Sequence, residues 1–225
     1  METKKAVKVG GTKTTVLTVL GTLVFAFLSF LVVFPVFAGL LASFRPGKEL
    51  IRKGLAIDLD VSTMSLDNYT YLFSGNEDSL KYFNWFKNSL FLTFVSVVGT
   101  LVICYFVAYG ISMYNYKLKN LLLFLVIATM MVPFEILMLP LYMEIIALGL
   151  IDSTWGVILP GLCGASTIFF FRQYMESLPK ELLDAGRIDG ATEYGICLKI
   201  MLPITKPAFA SMAILSSMGA WNNLL

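Results

Sequence analysis

Long apolar blocks separated by short polar segments make up most of the chain. The first block covers residues 16–44 and the second covers 89–113. Each is long enough to cross a bilayer as a helix, which takes about 20 apolar residues. Neither block shows the strict alternation of a half-buried strand. The pattern therefore predicts an all-α chain of membrane-spanning helices.

Three further apolar segments are less regular. One covers residues 121–143 and contains Pro133 and Pro140, which predict interruptions of the helix. Another covers 154–171 and is short and rich in glycine, and a fifth begins near Ala208. Together with the two longer blocks these segments give about five spans.

The polar N-terminal segment and the last span set the expected domain organisation. Residues 1–15 are predicted to be a polar tail, and residues 16–225 to be one transmembrane domain. The fifth span stops in the middle of its pattern, so we expect the domain to be incomplete at its C-terminal end.

Composition agrees with the apolar pattern. The 225 residues are 57% hydrophobic and 14% charged, whereas a soluble domain usually carries about 25% charged residues. The net charge of +2 is too small to indicate nucleic acid as a partner. The chain has no histidine, which excludes imidazole-based metal sites and acid–base chemistry. The three cysteines have no zinc or disulfide spacing, so we expect no metal site.

The distribution of lysine and arginine predicts a cytoplasmic N-terminus. With that orientation eleven basic residues lie inside and six lie outside, all six in the loop 45–88. Basic residues favour the cytoplasmic side of a membrane. The two sides of the first span carry four each, so the later loops decide the orientation. It makes residues 45–88 an external loop and residues 172–206 a cytoplasmic loop.

The cytoplasmic loop contains a charged, glycine-rich stretch, ELLDAGRIDGATEYGICLKIMLP, at residues 181–203. Glu181 suits the first turn of a helix, where an acid complements the helix dipole. Leu182, Leu183 and Ile188 are expected to form the buried face of that helix. Gly186 and Gly190, with Ala185, are expected to form a smooth patch that another backbone can approach.

A second helix is expected after a turn at Asp189-Gly190. Thr192 is a candidate N-cap for this helix. Three residues at helical spacing, Cys197, Ile200 and Met201, are expected to share one face, and Pro203 and Pro207 to end the helix. A helical hairpin of this kind suits either an amphipathic loop on lipid headgroups or a docking element for a soluble protein.

The spacing of this stretch resembles a known loop. Asp184-Ala185-Gly186, three residues, Gly190, nine residues and Ile200-Met201-Leu202-Pro203 resemble the EAA–G–I-x-LP loop of ABC importer permeases. Asp replaces the usual Glu, and Gly186 replaces the usual Ala at a cost of about 1 kcal/mol in helix propensity. The resemblance implies that the loop inserts into a cytoplasmic ATPase. The residues expected to form this ATPase-docking loop are Glu181, Asp184, Ala185, Gly186, Asp189, Gly190, Ile200, Leu202 and Pro203.

Other segments resemble the carbohydrate-uptake branch of these permeases, the maltose-permease-like subunits. They include SLDNYTYLF at 65–73, LGLIDSTWGVILPG at 148–161 and PITKPAFA at 203–210. The resemblance implies the fold of type I ABC importer permeases, a polytopic helix bundle of about six spans. It also implies a bacterial or archaeal inner membrane.

The same resemblance implies a transport complex rather than an enzyme. Its expected partners are a second homologous permease, a cytoplasmic ATPase dimer and an external solute-binding protein that delivers a sugar or oligosaccharide. ATP and Mg would bind the ATPase, and this chain would hold no cofactor. Alternating access would follow ATPase closure, and a large side chain at Gly190 is expected to uncouple transport from ATP hydrolysis.

Two features remain open from the residues alone. Glu135 lies in an apolar segment, where an acid costs roughly 3 kcal/mol, and suits a structural role with a polar partner, a pore-lining position or a proton relay. The aromatic external loop suits either solvent or contact with a binding protein. The rival function is a secondary transporter or channel without an ATPase, which would show internal repeats and paired intramembrane charges. The sequence shows neither.

Overall fold

The computed structural model describes the backbone of residues 12–47 and 64–223, with side chains from residue 16 onward. Every regular element in these ranges is helical, which confirms the all-α prediction. Most of the predicted tail 1–15 and part of the external loop 45–88 lie outside the described residues.

Within residues 12–47 and 64–223, ten helical segments follow in order. They are α1 Thr12–Ser43, α2 Asp67–Leu72, α3 Glu77–Met113, α4 Lys119–Met130, α5 Phe134–Ala147, α6 Thr154–Ile158, α7 Ala165–Glu176, α8 Glu181–Ile188, α9 Glu193–Ile204 and α10 Lys206–Trp221. A 3₁₀ turn, Leu159–Gly161, follows α6.

Within the described residues, two helices are long and apolar enough to cross a membrane, and the number of candidate spans is five if each of three bent pairs is one span. The long helices are Val16–Ser43, within α1, and α3. The bent pairs are α4 with α5 at 102°, α6 and its 3₁₀ turn with α7 at 41°, and α9 with α10 at 72°. The count agrees with the apolar pattern of the sequence.

Two boundaries differ from the sequence prediction. Helix α3 begins at Glu77 rather than at residue 89, because the Asn76 side chain accepts a hydrogen bond from the Ser79 amide at 2.8 Å and caps a polar first turn. The predicted interruption at Pro133 is confirmed by the 102° bend. The predicted interruption at Pro140 is wrong, since α5 continues through it; the loss of one backbone donor is tolerated there.

The chain divides into two compact units, residues 1–83 and 84–225. In the first unit α2 packs on the end of α1. The Asn68 amide donates to the carbonyls of Ser43 and Arg45 at 2.8 and 2.7 Å, and the Tyr69 and Ser43 hydroxyls lie 2.6 Å apart. Asn68 thus satisfies carbonyls that the end of α1 leaves without partners.

The core of the second unit is formed by the C-terminal half of α3 together with α7, α9 and α10. Tyr105, Phe171 and Phe209 form an aromatic cluster in which ring centroids are 4.8–6.0 Å apart. Met175 and Met201 are fully buried beside them. This core fixes the positions of the helices that lead into and out of the segment 181–203.

The ends of the spans in the second unit can be ordered from their contacts. The loop after α5 lies beside Asn88 and Leu92, near the N-terminal end of the unit's part of α3. The start of α4 and the segment α8–α9 lie at the other end, where Lys119 donates to the Ser112 carbonyl and Tyr114 to Glu193. The α4–α5 pair therefore runs from one end of α3 to the other in spite of its bend.

Candidate functional site

The segment 181–204 is a helical hairpin made of α8, a turn and α9, as the sequence predicted. We call it the coupling hairpin. Gly190 has a φ of +75°, its amide donates to the Arg187 carbonyl at 3.0 Å, and the Ala191 amide donates to the Gly186 carbonyl at 2.9 Å. These paired bonds close α8 on a left-handed residue, a conformation that glycine adopts without strain. Gly190 therefore shapes the turn of the hairpin itself.

The predicted cap of the second helix is confirmed. Thr192 is extended, with φ −70° and ψ 157°, and its hydroxyl accepts a hydrogen bond from the Gly195 amide at 3.1 Å. This satisfies one of the donors that a helix start leaves unpaired. Helix α9 then continues through a π-helical stretch, Ile196–Met201, before the α-helical turn Leu202–Ile204. Helix α9 ends at Ile204, between Pro203 and Pro207, as predicted, and Pro207 lies inside the first turn of α10.

Gly186 does not lie on an exposed patch. It is buried, and a Cβ built on it would lie 2.8 Å from Ile200 Cδ1 and 2.9 Å from Ile196 Cγ1. The close approach expected at this position is therefore made by α9 of the same hairpin. This departs from the sequence prediction because the partner helix lies ten and more residues further along the chain.

The burial of α8 partly matches the prediction. Leu183 is buried and Leu182 is half-buried, but Ile188 is 86% exposed. The expectation that Ile188 packs inside is wrong, because at about 3.6 residues per turn Ile188 lies on the side of α8 opposite to the buried Gly186. Tyr194, on the next helix, is 79% exposed. Ile188 and Tyr194 are thus large apolar side chains presented at the free end of the hairpin.

The other predicted docking residues fall into two groups. Glu181, Asp184, Ala185 and Asp189 are exposed on α8 or its turn, as a docking surface requires. Ile200 and Leu202 are half-buried and pack against the core, while Pro203 is exposed. The structure thus separates residues that face outward from residues that hold the hairpin in place.

The π-helical stretch is anchored by a tyrosine from α3. The buried Tyr105 hydroxyl donates to the Cys197 carbonyl at 2.9 Å. A π turn breaks the regular i→i−4 bonding of a helix and is found mostly at functional positions. The Thr205 hydroxyl, also buried, donates to the carbonyls of Met201 and Leu202 at 3.0 Å each. The base of the hairpin is therefore fixed through backbone carbonyls as well as by packing.

A charged network joins the two helices near the turn. The Arg187 guanidinium donates to both Glu193 carboxylate oxygens, at 2.7 and 3.3 Å, and to Asp184 at 3.0 Å. The Tyr114 hydroxyl, just beyond α3, donates to Glu193 at 2.6 Å. The Arg187 guanidinium and, second, the Tyr114 hydroxyl lower the pKa of Glu193 below its ordinary value. Burial and the Glu193 carboxylate raise the pKa of Tyr114.

Glu135 lies in the first turn of α5 and is exposed. No hydrogen bond or ion pair joins its side chain to another residue within the part of the chain that the structure describes. The described residues therefore offer Glu135 no polar partner for a structural role inside this chain. Its expected pore-lining role stays a prediction.

A cavity of about 330 Å³ lies in the second unit beside α3, α7 and α10. Its lining mixes hydroxyls with an aromatic ring and an amide and includes Ser89, Ser96, Thr100, Ser216, Trp221 and Asn223. Sequence reasoning named none of these residues, since hydroxyls scattered over three apolar helices form no local motif. Polar groups that converge on a concave cavity are typical of small-molecule sites.

Comparison with known proteins places these features in a family. Residues 100–225 match the family described as binding-protein-dependent transport system inner membrane component. The arabinooligosaccharides transport system permease protein AraQ of Bacillus subtilis is 48% identical over 204 residues, covering 91% of this chain and 72% of that protein. The galactooligosaccharides permease GanQ of the same species is 32% identical, with 85% and 67% covered.

A solved structure shares the fold. A chain in the crystal structure of a bacterial ABC transporter involved in the import of the acidic polysaccharide alginate superposes with a TM-score of 0.84 at 22% identity, covering 96% of this chain and 75% of that one. The coupling hairpin lies within the matched residues 100–225. From the family match and the identity to AraQ, the chain belongs to the binding-protein-dependent transport system inner membrane component family.

Proposed function

We propose that the chain is the membrane-spanning subunit of an ATP-driven ABC importer that translocates a sugar or oligosaccharide delivered by an external binding protein. Family membership supports a permease that works with a binding protein, rather than a secondary transporter or channel. The names of the relatives, among them transport permeases for arabinooligosaccharides and galactooligosaccharides, support the sugar. A second permease subunit and a cytoplasmic ATPase dimer complete the proposed complex.

The free end of the coupling hairpin is the observation on which ATPase docking rests. Ile188 and Tyr194 are exposed there by 86% and 79%, beside the acids Asp184 and Asp189. Large apolar side chains at the end of a polar loop are typical of an interface. In this proposal they enter the ATPase, and the N-terminus and the hairpin lie in the cytoplasm.

The base of the hairpin supports the proposed transmission of movement. Met201 and Thr205 are fully buried and lie between the hairpin and α10. Closely packed elements move as bodies rather than deform continuously. Closure of the ATPases would therefore displace α9 and α10 together and change access to the cavity beside Ser216 and Trp221, which we propose as the wall of the sugar path.

The docking proposal is tested by one substitution and its matched control. Ile188→Asp places a charge on the proposed interface, whereas Ile151→Asp makes the same change on an isoleucine that is 47% exposed in the loop after α5, at the other end of the second unit. The chain is expressed with the ATPase and the second permease from its own gene neighbourhood and purified by affinity. We expect the ATPase to be lost with Ile188→Asp and retained with Ile151→Asp.

Retention of the ATPase by Ile188→Asp would contradict docking at this surface. Failure of the wild-type chain to retain any ATPase would contradict the proposed function itself.

A further inference from the structure

We propose that Tyr114, Glu193 and Arg187 form a latch that fixes the free end of the coupling hairpin to the end of α3, so that they are positioning residues for coupling. The inference rests on the proposed function and adds a part to it. It concerns residues behind the docking surface rather than on it.

The first step is the attachment of the hairpin at two places. The Tyr105 hydroxyl holds the π-helical stretch of α9 at the Cys197 carbonyl, deep in the core. The Tyr114 hydroxyl holds Glu193, at the start of the same helix. Packing and the Tyr105 bond hold the base of α9, whereas the Tyr114 bond adds an attachment at the start of the same helix. Tyr114 therefore fixes the direction of α9 relative to α3.

The second step is the link from α9 back to α8. Arg187 on α8 meets both oxygens of Glu193 side-on through Nε and Nη2, and its Nη1 binds Asp184 one turn earlier. A guanidinium bound in this two-pronged way sets an angle as well as a distance. Tyr114, Glu193 and Arg187 thus connect α3, α9 and α8 in one chain of hydrogen bonds.

The third step separates this role from plain stabilisation. The side chains of Arg187 and Glu193 are 43% and 47% exposed, and exposed ion pairs add little to stability. Their immediate neighbours in sequence are Ile188 and Tyr194, the two apolar side chains of the proposed docking surface. The network is therefore placed to orient that surface under load, while the core residues keep the chain folded.

The test uses the complete complex in proteoliposomes, with a labelled arabinooligosaccharide as the probe sugar. Tyr114→Phe removes only the latch hydroxyl, and Tyr116→Phe removes a hydroxyl from the same connection between helices. We expect Tyr114→Phe to retain the ATPase but to import about fivefold less sugar per ATP hydrolysed, a loss equal to about 1 kcal/mol. Tyr116→Phe should match the wild type.

Sugar import per ATP hydrolysed should fall at least as far in Glu193→Gln as in Tyr114→Phe. In the double variant it should fall no further than in Glu193→Gln, because both changes break the same contact. Hydrogen exchange of the hairpin amides in the same complex gives a readout that needs no sugar. Exchange at residues 187–195 should rise in Tyr114→Phe and stay unchanged in Tyr116→Phe.

Unchanged import per ATP in Tyr114→Phe, or an equal fall in Tyr116→Phe, would overturn the latch alone. Unchanged hairpin exchange in Tyr114→Phe would overturn it as well. If the wild-type chain retains no ATPase, the proposed function and the latch are both overturned.

Discussion

At the scale of single residues, the two glycines of the coupling hairpin have different functions. Gly190 adopts a left-handed conformation with open space around the position of its missing side chain, and Gly186 adopts an ordinary helical conformation with no space at all. A large residue at Gly190 would therefore distort the turn before it met any partner. An uncoupled Gly190→Trp variant would not show that a partner contacts this position.

The conformation of Gly190 predicts an order among its substitutions. Gly190→Ala should destabilise the protein by about 1 kcal/mol, because a Cβ is disfavoured at positive φ. Gly190→Asn should cost less, since asparagine tolerates this conformation at helix ends. Thermal unfolding of the purified chain in detergent measures the difference, and equal melting temperatures for Gly190→Ala and the wild type would contradict the assigned turn.

The packing of Gly186 predicts the opposite dependence on size. Gly186→Ala gains about 1 kcal/mol of helix propensity and needs only small shifts of the isoleucine side chains 2.8 and 2.9 Å away, so its net effect should be small. Gly186→Leu should cost about 1–3 kcal/mol by overpacking. The melting temperature in detergent distinguishes them, and a Gly186→Leu variant as stable as the wild type would show that α8 does not pack on α9.

At the scale of elements, α9 is held by Tyr105, whose hydroxyl donates to the Cys197 carbonyl and accepts from the Cys197 thiol. Tyr105 and Tyr109 lie one turn apart on α3, and both are buried. The Tyr105 hydroxyl bonds to the Cys197 carbonyl of α9, whereas the polar neighbour of the Tyr109 hydroxyl is Tyr114, which lies outside α9. The two tyrosines are thus a matched pair for testing the anchor of the π-helical stretch.

Tyr105→Phe should destabilise the protein by about 1 kcal/mol, the net value of one hydrogen bond. Tyr109→Phe should cost less, because the Tyr109 hydroxyl makes no hydrogen bond to α9. Denaturation of both variants in the same detergent measures the contrast. Equal losses in the two variants would contradict the anchor.

The charged network predicts a dependence on acid. The pKa of Glu193 is lowered in the folded chain, so ionised Glu193 favours the folded state. This contribution is complete above the ordinary glutamate value of 4.5 and is lost as the pH falls through the lower folded-state value. Because the Arg187–Glu193 pair is exposed, the difference in melting temperature between wild type and Glu193→Gln should be small at neutral pH, and it should shrink further at pH values below 4.5. A difference that does not change with pH would contradict the role of the carboxylate.

At the scale of the whole molecule, labelling tests the proposed orientation. Ile188→Cys and Ile151→Cys place thiols at opposite ends of the second unit, in a Cys163→Ser background because Cys163 is the exposed native cysteine among the described residues. In intact cells a membrane-impermeant maleimide should label Ile151→Cys and leave Ile188→Cys unlabelled. The reverse pattern would place the coupling hairpin outside the cell.

Local patterns predicted the parts of the fold that depend on near neighbours. The apolar blocks predicted the spans, and Thr192 and Asp189-Gly190 predicted the cap and the turn, since these signals act within a few residues. The exposure of Ile188 and the burial of Gly186 depend on where α9 packs. The contact of Tyr114 with Glu193 joins residues 79 positions apart, and no local pattern encodes such a pair.

The 72° angle between α9 and α10 has a mechanical consequence. A force applied along α9 therefore acts mainly sideways on α10, and only a small part of it is directed along the α10 axis. At this bend the Thr205 hydroxyl makes two hydrogen bonds, to the Met201 and Leu202 carbonyls at the end of α9. In the proposed mechanism, movement of α9 would therefore tilt α10 sideways in the bilayer rather than shift it along its own axis. This tilt would widen or narrow the neighbouring cavity.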